Sequence, residues 1–223
     1  MKVKPENITA INSEHWEKFY ENNRNLSEST FCTEVRHRFQ GDFIIIDIGC
    51  GSGRDSLSFA VAGLDVFGID RSYEAISANT KLAGERVTKG KLSFERIDLG
   101  DESGLKSLLE RAVKQAETER KKVVLYLRFL LHAIDEETEG VLLDTLANNA
   151  PSGSYFAAEF RTSEDADKSK TYDDHYRRFI CTDDFLEAIK VRGFSISEFY
   201  KGTGLSIYKE EDPFLARVIA EKL

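Results

Sequence analysis

Apolar runs alternate with amphipathic stretches from about residue 42 onward, and this alternation narrows the choice of fold more than any other pattern in the chain. The run Phe43–Ile46 is continuously apolar, as expected of a strand that is buried on both faces of a parallel sheet. A later helix carries an unbroken apolar stripe at helical spacing, formed by Leu105, Leu108, Leu109, Ala112, Val113 and Ala116. The pattern predicts an α/β fold with helices on both faces of a mostly parallel sheet.

The last 30 residues depart from this alternation. Two apolar-rich runs, 194–200 and 205–208, are separated by the turn-forming residues 201–204, KGTG, which predicts a terminal β-hairpin. Asp212 and Pro213 then predict the start of a last helix, because proline is favoured at the first helical position. Five β/α units followed by a hairpin give a seven-stranded, Rossmann-like sheet that differs from the fully parallel dinucleotide-binding fold.

The first 40 residues show helical patterning around Trp16 and Tyr20 but no strand. We therefore predict an N-terminal helical lid at 1–40 and a single ligand-binding domain at 41–223. Trp16 and Tyr20 either close over a bound ligand or pack the helix against the domain core.

Composition excludes several classes of protein. With 41% apolar and 31% charged residues, the chain is typical of soluble globular proteins. No apolar run approaches the roughly 20 residues of a membrane span, and the N-terminus lacks a signal-peptide core, so a cytoplasmic location is expected. Cys32, Cys50 and Cys181 have no metal-binding spacing, which predicts reduced thiols and no metal site. The formal charge of −8 disfavours non-specific binding of nucleic acid.

The residues that suggest chemistry follow the first strand. Residues 47–55, DIGCGSGRD, form a glycine-rich turn that leads into a helix, where the backbone can approach a ligand closely. Asp70 ends the second strand and is placed to accept hydrogen bonds from both hydroxyls of a ribose. The G-x-G-x-G spacing, with arginine at position 54, departs from the G-x-G-x-x-G of dinucleotide sites.

Residues 47–55 resemble the first motif of the class I S-adenosylmethionine-dependent methyltransferases. Asp70 matches the ribose-binding acid of that family, and Asp98 matches the acid after strand three that takes the adenine amino group. The resemblance covers about residues 42–208 and implies S-adenosylmethionine as cofactor and S-adenosylhomocysteine as product. It implies that the loop lies along the methionine portion and that the end of strand four meets its amino group.

The cofactor-binding residues expected on this basis are Trp16, Tyr20, Asp47, Gly49, Cys50, Gly51, Gly53, Arg54, Asp70, Arg71, Asp98, Leu99 and Leu127. The roles of Arg54 and Cys50 need a separate statement. Arg54 either reaches the methionine carboxylate or pairs with a neighbouring acid, and Cys50 is expected to contribute its backbone alone.

Four shorter segments are similar to a bacterial subfamily of methyltransferases linked to surface-polysaccharide biosynthesis, such as capsule and O-antigen. They are residues 16–20, 126–132, 175–179 and the ending Glu211-Asp212-Pro213. This second resemblance implies a small acceptor that bears a phosphate or sugar phosphate.

Several basic residues are expected at the carboxyl ends of the strands, where open α/β sheets bind ligands. Arginine binds phosphate or carboxylate through two parallel hydrogen bonds, so a cluster favours an anionic acceptor over simple pairing with surface acids. The predicted substrate-binding residues are Arg128, Arg161, His175, Tyr176, Arg177 and Arg178. His132 or His175 is the candidate base and, with Arg128, completes the predicted catalytic set.

Four other functions remain to be weighed. A dinucleotide-dependent dehydrogenase is disfavoured by the glycine spacing and the hairpin. A non-catalytic methyltransferase-like binding subunit is disfavoured because the loop glycines and the ribose acid are both present. A nucleic-acid or protein methyltransferase is disfavoured by the acidic pI of about 5.2. A hydroxyl O-methyltransferase of another area of small-molecule metabolism stays open.

Overall fold

The structure, a computed structural model, describes residues 27–168 and 176–223. The strands in this part of the chain are β1 (Phe43–Ile48), β2 (Asp65–Asp70), β3 (Leu92–Arg96), β4 (Lys122–Arg128), β5 (Tyr155–Arg161), β6 (Phe194–Gly202) and β7 (Leu215–Lys222). The α-helices are α1 (Thr30–Arg38), α2 (Arg54–Ala62), α3 (Tyr73–Glu85), α4 (Glu102–Glu119), α5 (Glu136–Asn149) and α6 (Thr182–Lys190). Short 3₁₀ turns cover Leu131–Ala133 and Ser163–Asp165.

The seven strands form one sheet in the order β3-β2-β1-β4-β5-β7-β6. Strands β1 to β5 are parallel to one another, whereas β7 is antiparallel to both β5 and β6. The direction of the strand order reverses between β1 and β4. In open α/β sheets the crevice beyond the carboxyl ends of the strands at this point is the usual ligand site.

Strand β1 shows why the sheet carries helices on both faces. Ile44, Ile46 and Ile48 pack into one core with residues of α4, α5 and α6, whereas Ile45 packs into a second core with residues of α1 and α2. Successive side chains of a strand point to opposite faces, so a continuous apolar run needs a cover on each side. The predicted fold class is confirmed.

Helix α4 carries the predicted apolar stripe, and its Leu105, Leu108 and Leu109 are essentially inaccessible to solvent. Asp101 caps its first turn, and one carboxylate oxygen accepts hydrogen bonds from the amides of Ser103 and Gly104, both at 3.2 Å. An N-cap of this kind typically stabilises a helix by ~1 kcal/mol.

Two predictions about the end of the chain were wrong, namely the position of the second hairpin strand and the last helix. The second strand of the hairpin is β7, not residues 205–208, and the expected helix after Asp212 does not form. Residues 215–220 of β7 are buried between β5 and β6. Their alanines and charged residues fit a helix by intrinsic preference, but burial on both faces of the sheet determines the outcome. Pro213 precedes the strand, where its missing amide costs no ladder hydrogen bond.

The second half of the predicted lid is part of the main domain. Phe31, Cys32 and Val35 of α1 are fully buried in the second core, and the Phe31 ring stacks on the ring of Tyr126 in β4 with centroids 5.4 Å apart. Helix α1 therefore belongs to the layer of helices that covers the sheet. The first half of the lid, residues 1–26, lies outside the described residues. None of the helices in the described ranges combines the length and apolar character of a membrane span.

Candidate active site

The loop between β1 and α2 has a backbone that glycine adopts with little strain. Gly49, Gly51 and Gly53 have φ angles of +75°, +51° and +69°. A Cβ atom on Gly49 would lie 2.9 Å from Leu130 Cδ1, and one on Gly53 would lie 2.8 Å from Asn79 Cγ. Both the conformation and the packing therefore explain the G-x-G-x-G spacing.

Hydrogen bonds fix this loop to its neighbours. The amides of Gly49 and Cys50 donate to the Ile69 carbonyl at 2.8 and 2.9 Å, which ties the loop to the end of β2. Asn79 Nδ2 donates to the Gly51 carbonyl at 2.7 Å. Sequence reasoning missed Asn79. Its signal was a polar side chain at a buried position of an amphipathic helix.

Asp47 lies in β1 directly before the loop and connects this strand to α2. It is 3% exposed, and its Oδ2 accepts a hydrogen bond from Ser56 Oγ at 2.5 Å. Burial raises the pKa of Asp47 to about 7, and the nearby carboxylates of Asp55 and Asp70 act in the same direction. Cys50 is half-buried, and burial raises the pKa of its thiol.

Asp70 is oriented by two backbone amides. Gly51 N–H donates to Oδ2 and Ser72 N–H donates to Oδ1, both at 2.9 Å. Each carboxylate oxygen has two lone pairs, so these bonds fix the direction of the carboxylate and leave acceptor capacity for a ribose. Asp70 thus lies beside the glycine loop, as predicted.

The predicted adenine-side residues gather at the adjacent strand end. Asp98 follows β3, whose Arg96 pairs in register with Asp70, and its Oδ1 accepts from Gly100 N–H at 3.0 Å. Asp98 is exposed and Leu99 is nearly buried. Arg71 is half-buried, and its carbonyl accepts a hydrogen bond from Arg96 Nε at 2.9 Å.

Arg54 begins α2 directly after the glycine loop. Its Nε lies 3.9 Å from Asp55 Oδ1, which is a loose ion pair and too long for a hydrogen bond. Burial and the neighbouring charge of Arg128 lower the pKa of Arg54. A half-buried guanidinium with so loose a partner, at a helix N-terminus, is well placed to bind an anionic group of a ligand.

A ladder of charges crosses β4, β5 and β7 at their site-side ends. Arg128 Nε donates to Glu159 Oε1 at 3.0 Å, and Arg217 Nε donates to Glu159 Oε2 at 2.6 Å. Glu159 is fully buried. We call Arg128, Glu159 and Arg217 the charge ladder. Sequence reasoning missed Glu159 and Arg217, although a lone acid inside an apolar strand requires a partner.

Both ends of the ladder contact other segments. Near one end, Arg128 Nε lies 4.0 Å from Asp55 Oδ2, and Asp55 accepts hydrogen bonds from Ser29 N–H at 2.8 Å and Tyr126 Oη at 2.9 Å. At the other end, Arg217 donates to Glu34 Oε2 at 2.7 Å and to the Leu205 carbonyl at 2.8 Å. Leu127, the predicted cofactor contact before Arg128, is fully buried in β4.

Arg161 and His132 form a second buried cluster. Arg161 is 7% exposed, donates to Asp165 Oδ2 at 2.6 Å and also pairs with Glu211. Its backbone N–H donates to His132 Nδ1 at 3.2 Å. This bond assigns the proton of the neutral imidazole to Nε2, so His132 is not arranged to accept a proton from a substrate.

The remaining predicted site residues are Arg178, Tyr176 and Arg177, which the structure describes, and three that it does not describe. Arg178 pairs with Glu139, and its side chain also donates to the carbonyls of Ile134 and Leu131 at 2.8 and 3.2 Å. Tyr176 and Arg177 are half-buried. His175, Trp16 and Tyr20 lie outside the described residues.

Arg161 and Arg178 are predicted to bind the acceptor, and the structure gives each of them carboxylate partners within the fold. Both guanidinium groups are paired with carboxylates inside the protein. Removing a buried partner from such a pair is strongly destabilising, so these arginines stabilise the walls of the site.

The fold is that of the class I S-adenosylmethionine-dependent methyltransferases. Residues 10–102, less than half of the chain, match the family described as tellurite resistance protein TehB. The matched stretch contains the glycine loop, Asp70 and Asp98. No curated protein sequence matches the chain.

Solved structures with a similar fold include the following three. A S-adenosylmethionine-dependent methyltransferase from Anabaena variabilis shares 15% identity over 100% of this chain and 96% of its own, with a TM-score of 0.69. The 1,6-didemethyltoxoflavin-N1-methyltransferase of Burkholderia thailandensis, with bound 1,6-didemethyltoxoflavin and S-adenosylhomocysteine, shares 14% over 100% and 92%, with a TM-score of 0.68. TehB from Haemophilus influenzae shares 14% over 95% and 67%, with a TM-score of 0.65. At these identities the likeness establishes the fold, and the predicted enzyme class and cofactor agree with it.

Proposed function

We propose that this protein is a methyltransferase that binds S-adenosylmethionine at the β1–α2 loop and methylates a small molecule. The observation that carries the proposal is the joint geometry of the loop and Asp70. Three alternate glycines of the loop have left-handed conformations, the Gly49 and Cys50 amides donate to the end of β2, and the Asp70 carboxylate that ends β2 accepts the Gly51 amide. A backbone held in this way is a preformed surface for an adenosyl ligand.

The roles of the cofactor residues follow from their positions. Asp70 accepts hydrogen bonds from the ribose hydroxyls, and Asp98 accepts one from the adenine amino group. Arg71 and Leu99 complete the adenosine side of the site, and Leu127, near the end of β4, lies on the side of the methionine amino group. Arg54 binds the methionine carboxylate, because it is a half-buried cation close to the loop with a loose partner. The cofactor supplies a methyl group on a positively charged sulfur, which is already an activated donor.

The protein contributes mainly positioning on this account. In-line attack requires that the acceptor atom be held against the methyl group, and well-oriented groups reach effective molarities of up to ~10⁸ M. His132 orients the end of β5 through the Arg161 amide. His175 remains a proposed base, with Trp16 and Tyr20 as proposed covering residues.

The acceptor is proposed only as a small molecule. The finer prediction, a phosphate-bearing acceptor in surface-polysaccharide biosynthesis, came from the resemblance of four short segments, and a cluster of arginines supported its anionic character. Arg161 and Arg178 no longer support it because each has a carboxylate partner within the fold. Arg128 and Arg177 are the described arginines still proposed to face an acceptor, and Arg128 is shared with the charge ladder.

Calorimetric titration with S-adenosylhomocysteine and with NAD tests the cofactor assignment. We expect binding of S-adenosylhomocysteine alone, and Asp70→Asn should weaken it about 10- to 100-fold through loss of hydrogen bonds to a charged acceptor. Asp144→Asn is the matched control, because Asp144 is exposed on α5 and pairs only with Arg192 there. Binding of NAD without S-adenosylhomocysteine would contradict the proposal. Transfer of labelled methyl to any small acceptor excludes the non-catalytic alternative.

A further inference from the structure

The segment between β6 and β7, residues 203–214, lies at the carboxyl edge of the sheet. Strand β7 is antiparallel to β5 and β6 is antiparallel to β7, so β6 runs in the same direction as β1 to β5. The chain therefore leaves β6 and enters β7 at the edge where the glycine loop and Asp70 lie.

Buried charges hold this segment against the ends of β4 and β5. Arg217 Nη2 donates to the Leu205 carbonyl at 2.8 Å, and Arg128 Nη2 donates to Ser206 Oγ at 3.2 Å. At the far end of the segment, Glu211 pairs with Arg161. Fixing a loop costs roughly 1–2 kcal/mol per residue in backbone entropy, and these contacts offset that cost.

Between these anchors the segment exposes apolar side chains. Ile207 is 66% exposed and Tyr208 is 44% exposed. A pair of adjacent exposed apolar residues on an anchored loop, beside a ligand cleft, is typical of a binding surface rather than of scattered surface residues.

Phe129, just after β4, lies near this segment, because the Arg128 guanidinium contacts both the Phe129 ring and Ser206. Its φ angle of +57° is uncommon for a bulky residue, and such conformations concentrate at functional sites. Its ring lies 4.2 Å from Arg128 Cζ and 5.3 Å from the His132 ring, measured to the ring centroid. We call Phe129, Ile207 and Tyr208 the apolar rim.

We infer that the methyl acceptor binds through an apolar, ring-sized portion against the apolar rim. The inference rests on the proposed function and narrows its acceptor class. Three of the neighbouring arginines already have partners within the fold: Arg161 and Arg178 pair with carboxylates, and Arg128 is shared between Glu159 and Ser206. Arg128 is a positioning residue here, since it holds Ser206 next to the rim.

A neutral fluorescent ring compound, N-phenyl-1-naphthylamine, tests the inference with the whole chain saturated with S-adenosylhomocysteine. We expect the probe to bind at one site per chain. Ile207→Asp should weaken probe binding about 10-fold or more, because it removes a large apolar contact. Val191→Asp is the matched control: Val191 is 71% exposed and lies just before β6, at the opposite edge of the sheet.

The outcomes are distinct. A probe that does not bind, that binds both variants equally, or that excess glucose 1-phosphate displaces would overturn the inference and leave the proposed function intact. If S-adenosylhomocysteine itself does not bind by calorimetry, the proposed function fails instead.

Discussion

The two halves of the site are built by different means. On the cofactor side, the glycine loop and Asp70 are fixed by backbone hydrogen bonds among residues that are close in sequence, such as Gly51 with Asp70. On the acceptor side, the ends of β4, β5 and β7 are fixed by buried ion pairs between distant residues, such as Arg217 with Glu34. The comparison teaches that binding of a common cofactor needs a backbone shape, whereas the acceptor wall depends on side-chain charges specific to this chain.

The strongest test of this comparison is Glu159→Gln. Glu159 is the shared partner of Arg128 and Arg217, so neutralising it removes the fully buried charge that both guanidinium groups contact and leaves Arg217 with Glu34 and Arg128 with Asp55 at 4.0 Å. We expect a loss of ~3–5 kcal/mol in the free energy of unfolding measured with urea. Glu164→Gln, in an exposed pair with Lys201, should cost less than ~1 kcal/mol. Equal losses in the two variants would show that the charge ladder contributes no more to the free energy of unfolding than an exposed ion pair does.

The next largest effect is expected at Asp47 and depends on pH. Because its pKa is raised to about 7, folding favours the neutral carboxyl, and wild-type stability falls as pH rises from about 4 to 7. Asp47→Asn removes this loss. The free energy of unfolding of the variant relative to wild type should therefore increase from pH 4 to pH 7 and then level off, with a gain of up to about a few kcal/mol. Melting temperatures measured across this pH range should follow the same trend. A constant difference across this range would contradict the raised pKa.

A smaller effect is expected from the loop itself. Gly53→Ala places a side chain at a φ of +69° and against Asn79, which should cost ~1–3 kcal/mol of stability and also weaken S-adenosylhomocysteine binding. Gly140→Ala in α5 is the matched change, because no atom lies within 4 Å of its new Cβ. It should leave binding unchanged and raise stability by up to ~1 kcal/mol. A harmless Gly53→Ala would show that the loop shape is not the critical element.

The sequence predicted the elements that carry the proposed cofactor residues, because the signals for these elements are local. A strand, a glycine turn and a helix follow one another at residues 43–62, and Asp70 and Asp98 each end or follow a strand. Ser72 caps α3 as predicted, accepting from the Ala75 amide at 3.1 Å. These features are determined by neighbouring residues, and periodicity reveals them.

The acceptor side was less predictable because its partners are far apart along the chain. Arg161 pairs with Glu211 across 50 residues and Arg217 with Glu34 across 183, and no pattern in one segment identifies such pairs. The sequence therefore suggested a ligand for these arginines and did not reveal the carboxylates with which Arg161 and Arg178 pair. The same limitation affected β7, whose burial between two strands overrides its helical composition.

The position of β7 has a consequence for biosynthesis. A ribosome that has just completed β6 has made a strand whose only neighbour in the sheet is still to be translated, since β7 lies between β5 and β6. Until then the open edge of β5 and the whole of β6 stay available for pairing with other nascent chains. Closing the sheet therefore follows the synthesis of β7.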